Sequence, residues 1–218
     1  MSAWLTVWGL LPVLLLGAVA TAEITAGAFV LAALIGMTLA VAQRLHWYPL
    51  RIAIAIYVDV FRAVPVLTQL FIIYFGLTEI GIRLDPLPSA IVGFGINGGA
   101  YLTEVFRAGL ESIHPGQMEA AQMLGMTRLT ALRIVILPQA VRVVLPPLGN
   151  FAIGLLKDTA LASAVAAPEL MFRARTLVDK TFLATQIFTT AAAIYLAMSL
   201  PLGYLTRQAE ARFSRGRR

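Results

Sequence analysis

The sequence predicts an all-α polytopic membrane protein with five transmembrane helices. Of its 218 residues, 59% are apolar and 13% are charged, about half the charged fraction of a typical soluble domain. A soluble core this apolar would leave too few polar side chains to cover its surface, so lipid has to be the solvent for much of the chain. The absence of cysteine excludes a disulfide framework and thiol catalysis. The two histidines lie far apart in the sequence, and we expect no metal site.

The first 43 residues carry a single charged residue, Glu23, and exceed the ~20 residues that one span needs. We expect an apolar lead-in that is broken near Pro12 and Gly17, followed by a first span at about 22–43. A cleaved signal peptide is the alternative, because residues 20–22 read Ala-Thr-Ala. Such signals normally carry a basic residue near their N-terminus, and none is present here. The sequence leaves open whether residues 1–20 lie on the outer surface or cross the membrane.

Four further spans are predicted at about 52–76, 88–106, 141–156 and 184–206, with a long polar loop at 107–140. Arginines decide the orientation. The segments 44–51, 107–142 and 207–218 together hold eleven arginines against three acidic residues, whereas the charges of the opposite loops cancel. The positive-inside rule therefore predicts an outside N-terminus, with the C-terminus and the 107–140 loop in the cytoplasm.

Ionisable residues within predicted spans are costly and need partners or a function. Asp59 and Arg62 are three residues apart, as are Glu104 and Arg107, so each pair is expected to neutralise itself on one helical face. Glu23 has no partner nearby in sequence. It is expected either at the outer water interface or in a polar cavity of the bundle.

The glycines of the third span match a nucleotide-binding pattern by coincidence. Gly93, Gly95 and Gly98 fit G-x-G-x-x-G, but that fingerprint needs a βαβ unit around it. The spacing of Gly95 and Gly99 instead indicates close helix packing, with Asn97 facing inward. The chain also lacks the G-K-[ST] of a P-loop, so any ATP would be bound by a partner.

The cytoplasmic loop is predicted to contain two short helices. Pro115 and Gly116 open the first, Gly125 suits a left-handed stop, and a second from about Arg128 to Ile136 is expected to end before Pro138. The apolar residues of this loop could dock on another protein or pack back on the membrane helices, and composition leaves both open. They are Leu124, Met126, Leu129, Leu132 and Val135.

These loop residues resemble a known family. Glu119-Ala120-Ala121, followed by Gly125 and then Leu137-Pro138, is similar to the EAA loop of ABC-importer permeases. Further matches resemble the permeases for polar amino acids (histidine, glutamate, glutamine, arginine, opines), and the resemblance runs from about residue 15 to residue 213. They are Gly99-Ala100-Tyr101, Glu104, Arg107, Gly116-Gln117, Lys157-Asp158-Thr159 and Glu169-Leu170. Two departures are Val135 in place of the usual isoleucine, and Ala63-Val64 where the family has Gly-Thr before Pro65.

The resemblance implies the MetI-like fold of a type I ABC-importer permease in a bacterial cytoplasmic membrane. Two permease chains, identical or paralogous, would sit on two ATPase subunits, which bind ATP and Mg²⁺, and an extracytoplasmic binding protein would deliver the substrate. It further implies that Glu119 makes a charged contact with the ATPase, that Ala120 and Ala121 permit close approach, and that Gly125 fixes the turn. No catalytic residue, cofactor or nucleic acid is then expected for this chain.

Substrate would pass between the paired permeases, near the third and fourth spans, with Glu23, Asn97 and Tyr101 as candidate lining residues. A Glu23 carboxylate on that path would favour a cationic amino acid or an opine. Bends are expected where helices break near a central site. The candidates are Pro65, Pro138, Pro146, Pro147 and the Gly98-Gly99 pair, of which Pro146 and Pro147 are expected to be fixed kinks.

Three other functions compete with this one. An ion-coupled secondary transporter would use Glu23, Asp59 and Glu104 as proton carriers, but the chain shows no internal repeat. A membrane enzyme would need a nucleophile–base or metal constellation that the sequence lacks. A nucleic-acid binder could use the tail from Arg212 to Arg218, yet topology and anionic lipid explain those arginines better.

Overall fold

The computed structural model describes residues 3–214, which are helical with no β-strand among them. Three helices, α1, α6 and α8, are long and apolar enough to cross a membrane, and the bent pair α2–α3 would be a fourth. The five-span count stays a prediction, because α4 is not among these helices. The helices are α1 (Ala3–Ala42), α2 (Tyr48–Ala63), α3 (Val66–Glu79), α4 (Pro86–Glu111), α5 (Gly116–Met123), α6 (Arg128–Val165), α7 (Leu170–Thr181) and α8 (Ala184–Ser214).

The first helix is continuous, so the break expected near Pro12 and Gly17 is wrong. At 40 residues, α1 is about 60 Å long, twice the hydrocarbon thickness of a bilayer. Gly17 serves packing rather than bending, because a Cβ there would lie 2.8 Å from the Cα of Leu170 at the start of α7. The N-terminal half of α1 therefore belongs to a cluster with α7 and α8, which includes Leu14, Leu170 and Ile187.

The C-terminal half of α1 packs along α4, and the two helices run parallel. Gly27 meets Ile91, Leu31 meets Gly95, and Gly36 meets Leu102, so the contacts advance together along both chains. Side chains of one helix fill the space left by glycines of the other. This confirms the close packing predicted from the spacing of the α4 glycines.

The predicted span 52–76 is not one helix. The chain bends by 105° between α2 and α3, and Val64 adopts an extended conformation there (φ −86°, ψ 131°). Pro65 explains the bend, because its ring excludes the helical conformation from the residue before it and its nitrogen carries no hydrogen. The structure thus places a bend at Pro65, as expected, and the crossing of the membrane by residues 52–76 stays a prediction.

The helix expected to end before Pro138 continues through it. A π-helical turn spans Leu132–Ile136, directly before the α-helical segment Leu137–Asp158. The wider turn accommodates the missing N–H of Pro138 without ending the helix. Pro146 and Pro147 also lie inside this helix, which passes through them without interruption.

The described arginine-rich segments lie at one end of the bundle. Helices α4 and α6 are antiparallel, because Gly98 meets Phe151 while Gly109 meets Val144. Helices α6 and α8 are antiparallel as well, because Gly149 meets Thr206 while Ile153 meets Gly203. One end of the bundle consequently holds the 43–47 loop, the 112–127 segment and the end of α8. The positive-inside rule requires the arginine-rich segments to share one end in this way. The tail residues Arg215, Arg217 and Arg218 lie outside the described residues, and the compartment which this end faces stays a prediction.

Candidate functional site

The segment 112–136, here called the EAA hairpin, has the turn that its sequence predicts. Helix α5 ends where the Leu124 N–H donates to the Ala120 carbonyl (3.2 Å) and the Gly125 N–H donates to the Gln122 carbonyl (2.9 Å). Gly125 has a φ of +80°, a left-handed conformation that favours glycine. Thr127 then caps α6, its hydroxyl accepting the Thr130 N–H at 3.2 Å.

The apolar side chains of the hairpin divide between two faces. Ala121 is buried, whereas Glu119 and Ala120 are exposed beside it. Met123 is 90% exposed, Leu124 79% and Leu129 74%. Packing back on the membrane helices therefore covers only part of the hairpin. Three large apolar side chains of the hairpin are left bare, and such exposed apolar residues are typical of a surface that meets another protein.

Two glutamines join the hairpin to the membrane helix that follows. The Gln139 side-chain amide donates to Gln117 Oε1 (3.2 Å) and to the Val135 carbonyl (2.9 Å). The first bond links α5 to α6, and the second bridges the π turn. The neighbouring Leu137 and Pro138, predicted as coupling residues, are exposed on the same stretch of α6.

Asn97, a predicted lining residue, helps to close the bend at Pro65. Because Pro65 has no N–H, the Phe61 carbonyl loses its helical partner. The side-chain amides of Asn97 (2.8 Å) and Gln69 (2.9 Å) both donate to that carbonyl, and Gln69 also donates to the Val64 carbonyl (2.8 Å). Gln69 was missed from the sequence. The signal available was an X-Pro break followed four residues later by a glutamine in an otherwise apolar segment.

Of the other two predicted lining residues, Tyr101 lies near Asn97 and Glu23 does not. On the parallel register of α1 and α4, Glu23 is level with position 87, about ten residues from Asn97 or about 15 Å along the axis. Glu23 is exposed, and no hydrogen bond or ion pair is formed by it within the described chain. Tyr101 is 42% exposed and stacks on Phe151, with 5.5 Å between ring centroids. Asn97 and Tyr101 thus lie one helical turn apart on α4, whereas Glu23 lies well away from both.

Only one of the two predicted intrahelical ion pairs forms. Arg107 binds Glu104 in a bidentate pair and reaches Glu111 at 2.7 Å, and these bonds raise the pKa of the Arg107 guanidinium. Asp59 and Arg62 form no ion pair in the described structure, so that prediction is wrong. Asp59 is left exposed on α2.

A buried carboxylate ties three helices together. Glu169 caps α7 by accepting the N–H groups of Met171 (2.8 Å) and Phe172 (2.6 Å), and it also accepts the Tyr195 hydroxyl at 2.8 Å. The Thr21 hydroxyl of α1 lies 3.5 Å from the same carboxylate and accepts the Leu170 N–H at 3.2 Å. Burial raises the pKa of Glu169 despite these donors. Its structural role was missed, because the sequence placed it among solvated loop charges.

Comparison with known proteins decides the family. Residues 32–215 match the family described as binding-protein-dependent transport system inner membrane component. The chain belongs to this family. It is therefore a membrane-embedded transport subunit of an ABC importer and not an enzyme, which fits the exposed EAA hairpin and the apolar helices.

Individual relatives agree with this assignment. The chain is 37% identical to the L-cystine transport system permease protein TcyB of Bacillus subtilis over 94% of this chain and 88% of the relative. It is 34% identical to the glutamine transport system permease protein GlnP of Escherichia coli K12, over 96% of each. A crystal structure of an amino acid ABC transporter with histidines matches with a TM-score of 0.89, 32% identity and coverage of 97% and 99%. The inward-facing MetNI methionine ABC transporter matches with a TM-score of 0.77 at 19% identity, covering 98% and 100%, and supports the fold alone.

Proposed function

We propose that this chain is the permease subunit of an ATP-driven importer for amino acids and that the EAA hairpin receives the motion of the ATPase. The single observation that carries the coupling role is the bare apolar patch of Met123, Leu124 and Leu129. Relatives of the chain are named as cystine and glutamine permeases, which supports an amino-acid substrate.

The hairpin has the chemistry of a docking element. Glu119 offers a charge and Ala120 a small side chain on the exposed side of α5, while Ala121 faces the chain's own core. Gly125 sets the turn, and Leu137 and Pro138 lie where α5 and α6 are joined. ATP and Mg²⁺ would be bound by the ATPase, since this chain has no P-loop. Nucleotide binding in the partner would bias the permease between two states.

The proposed assembly contains a second permease chain, two ATPase subunits and an extracytoplasmic binding protein. Its orientation places the N-terminus outside and the EAA hairpin in the cytoplasm. The clustering of the described basic loops at one end of the bundle supports this orientation through the positive-inside rule.

The substrate path is proposed to pass Asn97 and Tyr101, with Glu23 nearer the outer end. An exposed carboxylate on an apolar helix is costly unless it meets water, a partner or a ligand. A cationic amino acid or an opine would supply the complementary charge. This preference is specific to Glu23 and does not follow from the relatives, whose named substrates have no net charge.

Uptake by the reconstituted complex tests the proposal. We expect labelled amino acid to enter proteoliposomes only when ATP is present on the ATPase side and the binding protein on the other. Uptake driven by a proton gradient without ATP would contradict the proposal and would favour a secondary transporter that uses Glu23, Asp59 and Glu104.

The charge preference needs a second comparison. Glu23→Gln is expected to raise the KM for arginine at least tenfold and to leave the KM for glutamine unchanged. Glu79→Gln removes an exposed carboxylate at the end of α3 and serves as the matched control. An unchanged arginine KM in Glu23→Gln would exclude the proposed preference for cationic substrates.

A further inference from the structure

A polar cavity of about 440 Å³ lies at the basic end of the bundle, between the ends of α1, α2 and α4. Its polar lining includes Gln43, Arg44, Tyr48, Arg51 and Arg107, together with Glu104 and Glu111. None of these residues belongs to the EAA hairpin or to the proposed substrate path. We call this cavity the Arg44–Arg51 pocket.

The charges of the pocket leave two arginines uncompensated. Arg107 binds both acidic residues of the lining, Glu104 and Glu111. Arg44 and Arg51 form no ion pair within the described chain, and both are exposed. Two guanidinium groups without an acidic partner thus line the same cavity, and arginine is suited to phosphate because it can bind the oxygens with paired hydrogen bonds.

Helix α2 adds to this positive field. It begins at Tyr48, directly between the two arginines in sequence, and its N-cap residue Trp47 offers no side-chain acceptor. The N-terminus of α2, which is the positive end of its helix dipole, therefore has no capping side chain, although Pro49 leaves one N–H fewer in its first turn. The Tyr48 hydroxyl, on a side chain that is largely exposed, provides a further donor.

The surroundings of the pocket are apolar and aromatic. Val41 and Leu45 on one side and Ile52 and Ile56 on the other are exposed large side chains of the same segments. Trp47 is exposed beside the arginines, and tryptophan is enriched at the level of lipid headgroups. A free phosphate ion would need only the arginines, whereas a phospholipid would use the apolar flanks as well.

We propose that the Arg44–Arg51 pocket binds the phosphate headgroup of an anionic phospholipid, whose acyl chains lie along the exposed apolar residues of α1 and α2. Basic pockets between membrane helices at the cytoplasmic side are suited to such headgroups. The leaflet follows from the proposed orientation of the permease, but the pocket and its chemistry do not depend on the transported substrate.

Native mass spectrometry of the purified, delipidated full complex tests the proposal. Phosphatidylglycerol and phosphatidylcholine with the same acyl chains are added in turn, and bound lipid is counted. We expect phosphatidylglycerol to bind at least tenfold more tightly. Arg44→Gln with Arg51→Gln should weaken phosphatidylglycerol binding about tenfold to thirtyfold. The reason is that each basic residue near an anionic lipid surface contributes roughly a fivefold change in affinity.

Two further variants and one competitor make the test specific. Arg44→Lys with Arg51→Lys keeps the charge and should stay within about threefold of the unmodified chain. Arg83→Gln with Arg175→Gln removes two exposed arginines far from the pocket and should have no effect. Equal binding of the two lipids, or an equal loss in the Arg83/Arg175 control, would overturn the proposal. Displacement of phosphatidylglycerol by millimolar inorganic phosphate would also overturn it, in favour of a free-anion site.

Discussion

The EAA hairpin and the α1–α4 helix pair both rely on small residues, but for different purposes. In α1–α4, glycines remove side chains so that two helices of the same chain can touch. In the hairpin, Gly125 makes a turn in open space, and the large side chains beside it stay bare. The helix pair is complete within one chain, whereas we propose that a partner completes the hairpin surface. Substitutions in the helix pair should therefore affect folding, whereas substitutions in the hairpin should affect binding of the ATPase.

The largest effect is expected in the helix pair. A Cβ at Gly36 would lie 2.8 Å from the carbonyl carbon of Leu102, and backbone cannot yield as a side chain can. Gly36→Leu should lower the free energy of unfolding by about 3 kcal/mol or more and reduce the yield of monodisperse protein in detergent. Gly9→Leu is the matched control on the same helix, because nothing lies within 4 Å of that position. Equal stability of the two variants would contradict the packing account.

The hairpin should show the reverse pattern. Leu124→Asp with Leu129→Asp places charges on exposed positions, so the thermal midpoint of the isolated permease should stay unchanged. Retention of the ATPase in a mild-detergent pull-down should fall at least tenfold, because an interface core excludes unpaired charge. Ile82→Asp, at an exposed apolar position of the α3–α4 loop, is the control. If the hairpin variant kept its ATPase, the patch would not be the docking surface.

An intermediate effect is expected at the α2–α3 bend. Gln69→Leu leaves the Val64 carbonyl without its donor and the Phe61 carbonyl with one fewer, at a cost of about 1–3 kcal/mol. Pro65→Ala restores an N–H four residues after Phe61, so the cost of Gln69→Leu should be smaller in that background. Thermal unfolding of the two single variants and the double variant measures this difference. Strict additivity would show that Gln69 does not compensate for the proline.

The smallest effect is expected at the buried Glu169 carboxylate. Tyr195→Phe removes one of its donors, and the other hydrogen bonds remain. The free energy of unfolding should fall by about 1 kcal/mol. Tyr204→Phe, at an exposed position of the same helix, should leave it unchanged. A loss as large as that of Gly36→Leu would mean that Glu169 depends on this one bond.

Local patterns made the hairpin predictable. Gly125 lies directly after a helix-forming run, and this signal acts within a few residues. The spacing of Gly95 and Gly99 likewise predicted close packing, since it depends only on helix periodicity.

Long-range contacts were harder to predict. Gln69 and Asn97 converge on one carbonyl from different helices, and nothing in sequence spacing brings them together. The predicted Asp59–Arg62 ion pair also failed, because a spacing of three residues on a helix permits an ion pair but does not require one. The helix ends expected at Pro12 and Pro138 failed because a long helix tolerates one missing hydrogen bond, in the second case through a π turn.

The central claim is that the bare hairpin patch meets the ATPase on the cytoplasmic side. The chain has no cysteine, so a single Leu124→Cys introduces one defined thiol. A thiol-directed photo-crosslinker on this residue, applied to the assembled transporter in its membrane, should yield one adduct of permease and ATPase, and an Ile82→Cys chain should yield none. An ATPase adduct from Ile82→Cys, or none from Leu124→Cys, would contradict the account.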